Sequence, residues 1–315
     1  MEHRVMEHGV FDDPRAVQEK IVAVRKQGKV AGRSNAAPFL VGVVPTMGAL
    51  HEGHLSLVRR AKRDTDFVVV TIFVNPTQFA PHEDFDMYPR TLKQDLMLLR
   101  ELDVDLVFTP TREMMYPAGY DTYVEVVELA RRLEGVSRPT HYRGVTTIVL
   151  KLLNITMADL AFFGQKDYQQ CCVIQKMTAD LDMPVKIVVC PTVREPDGLA
   201  LSSRNRYLSS EERTQALVLS QSLALAQQLV HAGVTDTREI CRRMREVIGS
   251  SPLARIDYIA IADPTTLEEL SHIPVTPKSH AIGDSARAVA LLAVDFGATR
   301  LIDNALLRNR AEERT

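Results

Sequence analysis

At 315 residues, with 45% apolar and 25% charged side chains, the chain can bury a sizeable core and exceeds one typical domain of ~100 to 200 residues, so two domains are expected. The 38 Lys and Arg against 40 Asp and Glu leave a net charge of −2, which excludes a broad field for nucleic acid or an anionic membrane surface; any phosphate binding must be local. Four cysteines without CxxC spacing (Cys171, Cys172, Cys190, Cys241) suit reduced thiols in a cytoplasmic protein better than a zinc site or a disulfide framework.

The opening MEHRVMEHGVFDD mixes charges of both signs and lacks the apolar core of a secretory signal, so it reads as a polar lead-in. Asp13 to Lys29 carries apolar residues at helical spacing, and the stretch from Gln27 to Pro38 has the Gly, Ser, Asn and Pro of a loop. Phe39 to Val44 is a short, continuously apolar run of the kind found in buried parallel strands, ending at Pro45. A helix over Leu55 to Arg63 follows. Asp66 to Val74 is β-branched and apolar on both faces, which predicts a central strand; it is far short of the ~20 residues that cross a bilayer.

The alternation continues with a helix over Arg90 to Leu102, a strand over Leu106 to Thr109, a helical segment from Thr146 to Asn154, a strand over Leu160 to Gly164, a helix over Tyr168 to Leu181 and a strand over Val185 to Val189. Strands alternating with helices predict an α/β fold, a doubly wound parallel sheet whose ligands sit beyond the strands' carboxyl ends. After about Val193 the character changes: a long helix over Ser209 to Leu229 opens with a Ser-x-x-Glu-like cap, a second helix spans Thr237 to Ile248, and two strands cover Asp257 to Ala262 and Ala288 to Phe296. Residues 1–192 therefore read as the parallel-sheet domain and residues 193–315 as a second, smaller α+β domain placed to cover it.

Chemistry-bearing residues gather where these strands end. PTMGALHEGH, Pro45 to His54, lies between the first buried strand and its helix, where a helix N-terminus offers backbone N–H groups and partial positive charge to phosphate. Gly48 and Gly53 would let backbone approach a nucleotide, and His51 and His54, three apart, can both face it; alternatively the pair is structural or metal-binding. Asn75-Pro76-Thr77-Gln78 ends the next strand, where Asn75 and Gln78 suit a substrate with hydroxyls and a carboxylate, or simply form a turn. In Gly164-Gln165-Lys166-Asp167, Lys166 supplies a point charge, and Asp167 either caps the next helix or holds a ribose or magnesium ion. Leu201-Ser202-Ser203-Arg204 brings two hydroxyls and a guanidinium, or is a solvated loop. Arg138, His141 and Arg143 lie in the predicted loop SRPTHYRG, closing over an anion or facing water. Asp84, Asp86 and Asp95 are candidate magnesium contacts, of which one or two would suffice.

Taken in order, PTMGALHEGHLSLV, IFVNPTQF, GQKDYQQ and LSSRNRYLS resemble the signature segments of the pantothenate synthetase family, from about Val43 to Leu208. The first also resembles the HxGH box of nucleotidyltransferases and class I aminoacyl-tRNA synthetases; the other three separate the families. The resemblance implies a Rossmann-like domain over residues 1–192 that binds ATP and pantoate and a C-terminal lid over residues 193–315. It implies ATP contacts at Met47, Gly48, Ala49, Leu50, His51, Glu52, Gly53 and His54, at Gly164, Gln165, Lys166 and Asp167, and at Val193, Leu201, Ser202, Ser203 and Arg204.

By the same resemblance, Asn75, Gln78 and Gln170 contact pantoate or β-alanine, and His51, His54, Lys166 and Arg204 carry the charge complement of catalysis. Magnesium accompanies ATP, with Asp95 as a contact, and the assembly is a homodimer. Two positions depart from the usual pattern: Leu201 replaces a common Met, conserving volume, and Gln94-Asp95 replaces a common Asp-Asp pair, which weakens a magnesium role there. Two rivals share the HxGH box, an adenylyltransferase with a dinucleotide product and an RNA-binding module. The near-neutral charge opposes the second.

Overall fold

A computed structural model describes residues 9–30, 38–80, 83–274 and 286–308; the polar lead-in at residues 1–8 and most of the loop predicted between Gln27 and Pro38 lie outside them. Contacts divide the chain into two compact units, Met1–Ala130 with Arg138–Gly164 and Val173–Cys190, and Arg131–Ser137 with Gln165–Cys172 and Pro191–Thr315. Two short upstream segments thus belong to the unit that otherwise begins at Pro191.

In chain order the elements up to Cys190 are β1 (Val10–Phe11), α1 (Pro14–Val30), β2 (Val41–Thr46), α2 (Glu52–Asp64), β3 (Phe67–Ile72), a 3-10 turn at Pro76–Gln78, α3 (Leu92–Glu101), β4 (Leu106–Phe108), the one-turn helices α4 (Arg112–Met115), α5 (Val127–Ala130) and α6 (Glu134–Ser137), α7 (His141–Thr156), β5 (Leu160–Gly164), a 3-10 turn at Gln165–Asp167, α8 (Tyr168–Asp180) and β6 (Lys186–Cys190). The first unit holds a parallel six-stranded sheet of order β1-β4-β3-β2-β5-β6. Its central strands carry apolar residues on both faces because both faces are covered: Val43, Val44, Val68, Val69 and Val70 are fully buried. The strand order reverses between β2 and β5, the switch point beyond which ligands bind in such sheets.

β2 runs through Pro45 to Thr46, beyond the predicted end. Its pairing with β5 stops at Val43, while its pairing with β3 continues to Thr46 against Ile72, so Pro45 sits where only one neighbour remains and its missing N–H costs little. α7 starts five residues before its predicted start at Thr146, which moves His141 and Arg143 from the expected loop onto its first turn. Thr140, the N-cap, makes no side-chain cap bond; the earlier start goes with a buried face that already includes Tyr142.

The second unit is built on an antiparallel sheet of β7 (Ala254–Ala262), β8 (Ala288–Phe296) and β9 (Thr299–Leu307). Its helices are α9 (Ser210–Gln215), α10 (Val218–His231) and α11 (Thr237–Gly249), and α10 and α11 bury Leu219, Leu223, Ile240, Met244 and Ile248 with Ile259, Leu292 and Val294 of the sheet. The predicted cap is present as a reciprocal box, Ser209 with Glu212. The single helix predicted over Ser209 to Leu229 is interrupted at Ala216–Leu217. There the bonds tighten to three-residue spacing, Leu217 N–H to the Thr214 carbonyl and Leu219 N–H to that of Ala216. β9 was not predicted; the Gly297-Ala298 pair that turns β8 into it, with Gly297 at φ +58°, is its hairpin signal.

Candidate active site

The segment after β2 is shaped by its own polar atoms. Thr46 Oγ1 donates to the Thr71 carbonyl at 2.8 Å and accepts from the Gly48 N–H at 3.2 Å, closing the strand into a turn. Gly48 and Ala49 then take positive φ, +84° and +51°. His51 is the N-cap of α2 and forms an unusual capping box with His54: the Gly53 N–H donates to His51 Nδ1 at 3.1 Å, and the His51 N–H donates to His54 Nδ1 at 3.3 Å. The rings lie 4.1 Å apart. An Nδ1 that accepts from backbone carries no proton, so in the neutral form of each ring the proton sits on Nε2. Glu52, beside them in the first turn, ion-pairs with Arg59, which holds its carboxyl below the usual range through that hydrogen bond.

Asp95, expected as a metal contact, is 1% exposed and turned into this segment: its carboxylate accepts from the Ala49 N–H at 3.0 Å and the Leu50 N–H at 2.9 Å. Among the described residues no group of three or more His, Cys, Asp or Glu is arranged to hold a metal ion.

Asn75 is a buried hub. Its Nδ2 donates to Gln78 Oε1 and to the Gly144 carbonyl, both at 3.1 Å, and its Oδ1 accepts from the hydroxyls of Tyr116 at 2.8 Å and Thr77 at 2.9 Å. Burial pushes the Tyr116 hydroxyl up to about 12, which keeps it a donor. With its amide spent on protein groups, Asn75 orients Gln78 more than it offers hydrogen bonds of its own. Gln78 donates from Nε2 to Met47 Sδ at 2.9 Å, which ties this turn to the segment after β2. α7 can approach because Gly144 has no side chain: a Cβ there would stand 2.3 Å from the Thr77 carbonyl oxygen.

Arg138, expected over an anion or in water, does neither. It forms a fork with Glu83 at 2.7 and 2.5 Å, while His141 Nδ1 meets the Gln78 carbonyl at 2.9 Å. Burial raises the Glu83 carboxyl, but the hydrogen bond and charge of Arg138 outweigh it and hold the group below its usual value of 4.5. A carboxyl lowered on folding stabilises fully above its unfolded value and loses that contribution as pH falls through the folded one. The stability gap between the wild type and Glu83→Gln should therefore be full at pH 7 and shrink below pH of about 4.5, as urea titrations at both pH values would show. Arg143 stacks over Tyr123 at 4.2 Å.

Gly164 ends β5 in the first unit; the second unit gathers the other remaining candidates. Lys166 is largely buried and lies 3.3 Å from the Asp167 carboxylate. Asn304 holds their turn, donating from Nδ2 to the carbonyls of Gln165 and Lys166 at 2.9 Å each and accepting from Gln165 Nε2 at 3.2 Å. The Leu201 N–H donates to the Val193 carbonyl at 3.0 Å, pairing two expected ATP contacts, and Ser202 caps the 3-10 turn at Ser203–Tyr207 by accepting from the Arg204 N–H at 3.3 Å. Arg194 forks onto the buried Asp303 at 2.6 and 3.0 Å. Gln169 is spent on structure, accepting from the Glu134 N–H and donating to the Arg132 carbonyl, while Gln170, ~100° further round α8, stays half-buried. Sequence reasoning missed Asn304, Asp303, Arg194, Tyr116, Glu83 and Gly144; only the Gly-Ala hairpin signal ahead of β9 pointed toward any of them.

These features define a class: an open parallel α/β sheet with a histidine-capped helix N-terminus at its switch point, joined in the chain to a small antiparallel α+β unit. Residues 15–306 match the family described as pantoate-beta-alanine ligase, and the chain belongs to that family. It is 53% identical over 267 residues to a pantothenate synthetase of Roseiflexus castenholzii, covering 85% of this chain and 92% of the relative. A crystal structure of pantothenate synthetase from Thermus thermophilus superposes with a TM-score of 0.83 at 42% identity, covering 95% of this chain and 99% of that one. The ligase from Francisella tularensis, solved with beta-gamma ATP and beta-alanine, gives a TM-score of 0.71 at 35% identity over 95% of this chain and 97% of that one. No helix among the described residues is long and apolar enough to cross a membrane.

Proposed function

We propose that the protein condenses pantoate with β-alanine at the expense of ATP, through a pantoyl-adenylate. In the first step a pantoate carboxylate oxygen bonds to the α-phosphorus as the bond to pyrophosphate breaks. In the second, the β-alanine nitrogen bonds to the acyl carbon, the bond to AMP breaks, and the amine gives up a proton. A carboxylate is already nucleophilic, so the first step calls for positioning and charge neutralisation rather than a strong base. The observation that carries this reading is the paired imidazole cap of α2, which fixes two histidines at a helix N-terminus where anionic phosphate is favoured.

In this reading the segment Met47 to His54 contacts ATP, with the triphosphate at the N-terminus of α2, and Gly164 to Asp167, Val193 and Leu201 to Arg204 complete the ATP contacts. Lys166 and Arg204 add charge. Gln78, oriented by Asn75, holds pantoate together with Gln170. Residues 1–192 form the ATP- and pantoate-binding domain and residues 193–315 act as its lid. Magnesium arrives with ATP and is held mainly by its phosphates, in keeping with the ion's need for few protein carboxylates. Four thiols without disulfides suit the cytoplasm, and the family resemblance supports a homodimer, which light scattering would test.

The test is a reaction of purified protein with ATP, magnesium, pantoate and β-alanine, each left out in turn. AMP formed only with the full set, in equal amount to pantothenate, supports the ligation. A dinucleotide formed from a phosphorylated precursor would replace this reading with adenylyl transfer.

A further inference from the structure

We infer that Asp95 is a positioning residue: from α3 it holds the turn Gly48–Leu50, and through it the capped histidines of α2, in the shape that receives ATP. The inference rests on the ATP-dependent reading above. Two consecutive residues in the left-handed region are costly unless both are glycine, and Ala49 at φ +51° has only a methyl group with which to offset the strain. Asp95 supplies the compensation. Its oxygens each accept one backbone N–H, from Ala49 at 3.0 Å and Leu50 at 2.9 Å, and the Thr91 hydroxyl lies 3.2 Å from both.

Successive N–H groups converging in this way form the concavity that proteins use to hold anions, and here the anion is the protein's own. Two consequences follow. The Ala49 and Leu50 N–H groups point at Asp95, so phosphate falls to the next residues, the N-terminus of α2 and its imidazoles. Moreover, Gly48 is confined by the same carboxylate: a Cβ there would stand 3.1 Å from Asp95 Oδ2. A carboxylate occupied by backbone in this way serves geometry, not metal.

Asp95→Asn keeps the shape but turns one acceptor into an N–H that faces another N–H. In the variant without any ligand, the Ala49 and Leu50 amides should exchange with deuterium at least about tenfold faster, the effect of losing one charge-assisted hydrogen bond. In kinetics the KM for ATP should rise by about tenfold and kcat should fall, while the magnesium concentration for half-maximal rate stays unchanged. Thr91→Val, which removes only the supporting hydroxyl, should shift the same two amides in the same direction by about threefold, and covers the case in which Asp95→Asn fails to fold. Unchanged exchange at both amides in either folded variant overturns the inference, as does a raised magnesium requirement with unchanged exchange, which would make Asp95 a metal contact. The exchange readout needs no substrate, so it separates a failure of this inference from a failure of the ligase reading.

Discussion

Replacing His54 by alanine should lower turnover on the order of 100- to 1,000-fold, the loss seen when a preorganised donor to developing charge is removed. The ring does two jobs. Its Nδ1 accepts the His51 N–H in the capping box, and its Nε2–H is the donor proposed for phosphate. The first is worth about 1 kcal/mol of helix stability, the usual cost of losing a side-chain cap interaction. If capping were its only role, His54→Ala would melt slightly earlier and turn over normally. Steady-state rates beside thermal melts separate the two, and a variant with unchanged kcat would refute the catalytic assignment. His51→Ala should behave alike, since its Nδ1 accepts from Gly53 and its ring lies against that of His54.

Gly144→Ala should damage both fold and site. The added Cβ would meet backbone only, the Thr77 carbonyl oxygen at 2.3 Å, its carbon at 2.5 Å and the Gln78 nitrogen at 2.6 Å, so no side chain can swing away. α7 and the turn at Pro76–Gln78 must separate, at about 1 to 3 kcal/mol for an overpacked contact. The same movement breaks the bond from Asn75 Nδ2 to the Gly144 carbonyl and releases the orientation of Gln78. A lowered melting temperature together with a raised KM for pantoate is expected. A variant that melts and binds pantoate like the wild type would show that the close approach is dispensable.

Much of the frame was legible from residue order because the signals were local. Apolar residues on both faces mark β2 and β3 as buried parallel strands, the Ser-x-x-Glu spacing of Ser209 and Glu212 marks a helix start, and two histidines three apart beside a strand end mark a helix N-terminus with donors. What escaped was set by partners distant in sequence. Asn75 reads as a substrate contact or a turn residue, and its bonds to Tyr116, 41 residues on, and Gly144, 69 residues on, leave no mark in the segment around it. Arg138 reads as closing over an anion or facing water until Glu83, 55 residues earlier, takes its guanidinium.

The residue order alone determined the alternation of buried strands and helices, the change of character after Val193 and the identities of the groups that can do chemistry, since burial pattern and side-chain chemistry are properties of short segments. Only the tertiary structure decided which of those groups remain available for a ligand. A buried polar atom must find a partner wherever the fold brings one, and Asp95 finds its partners 46 and 45 residues away, across a turn whose shape depends on it.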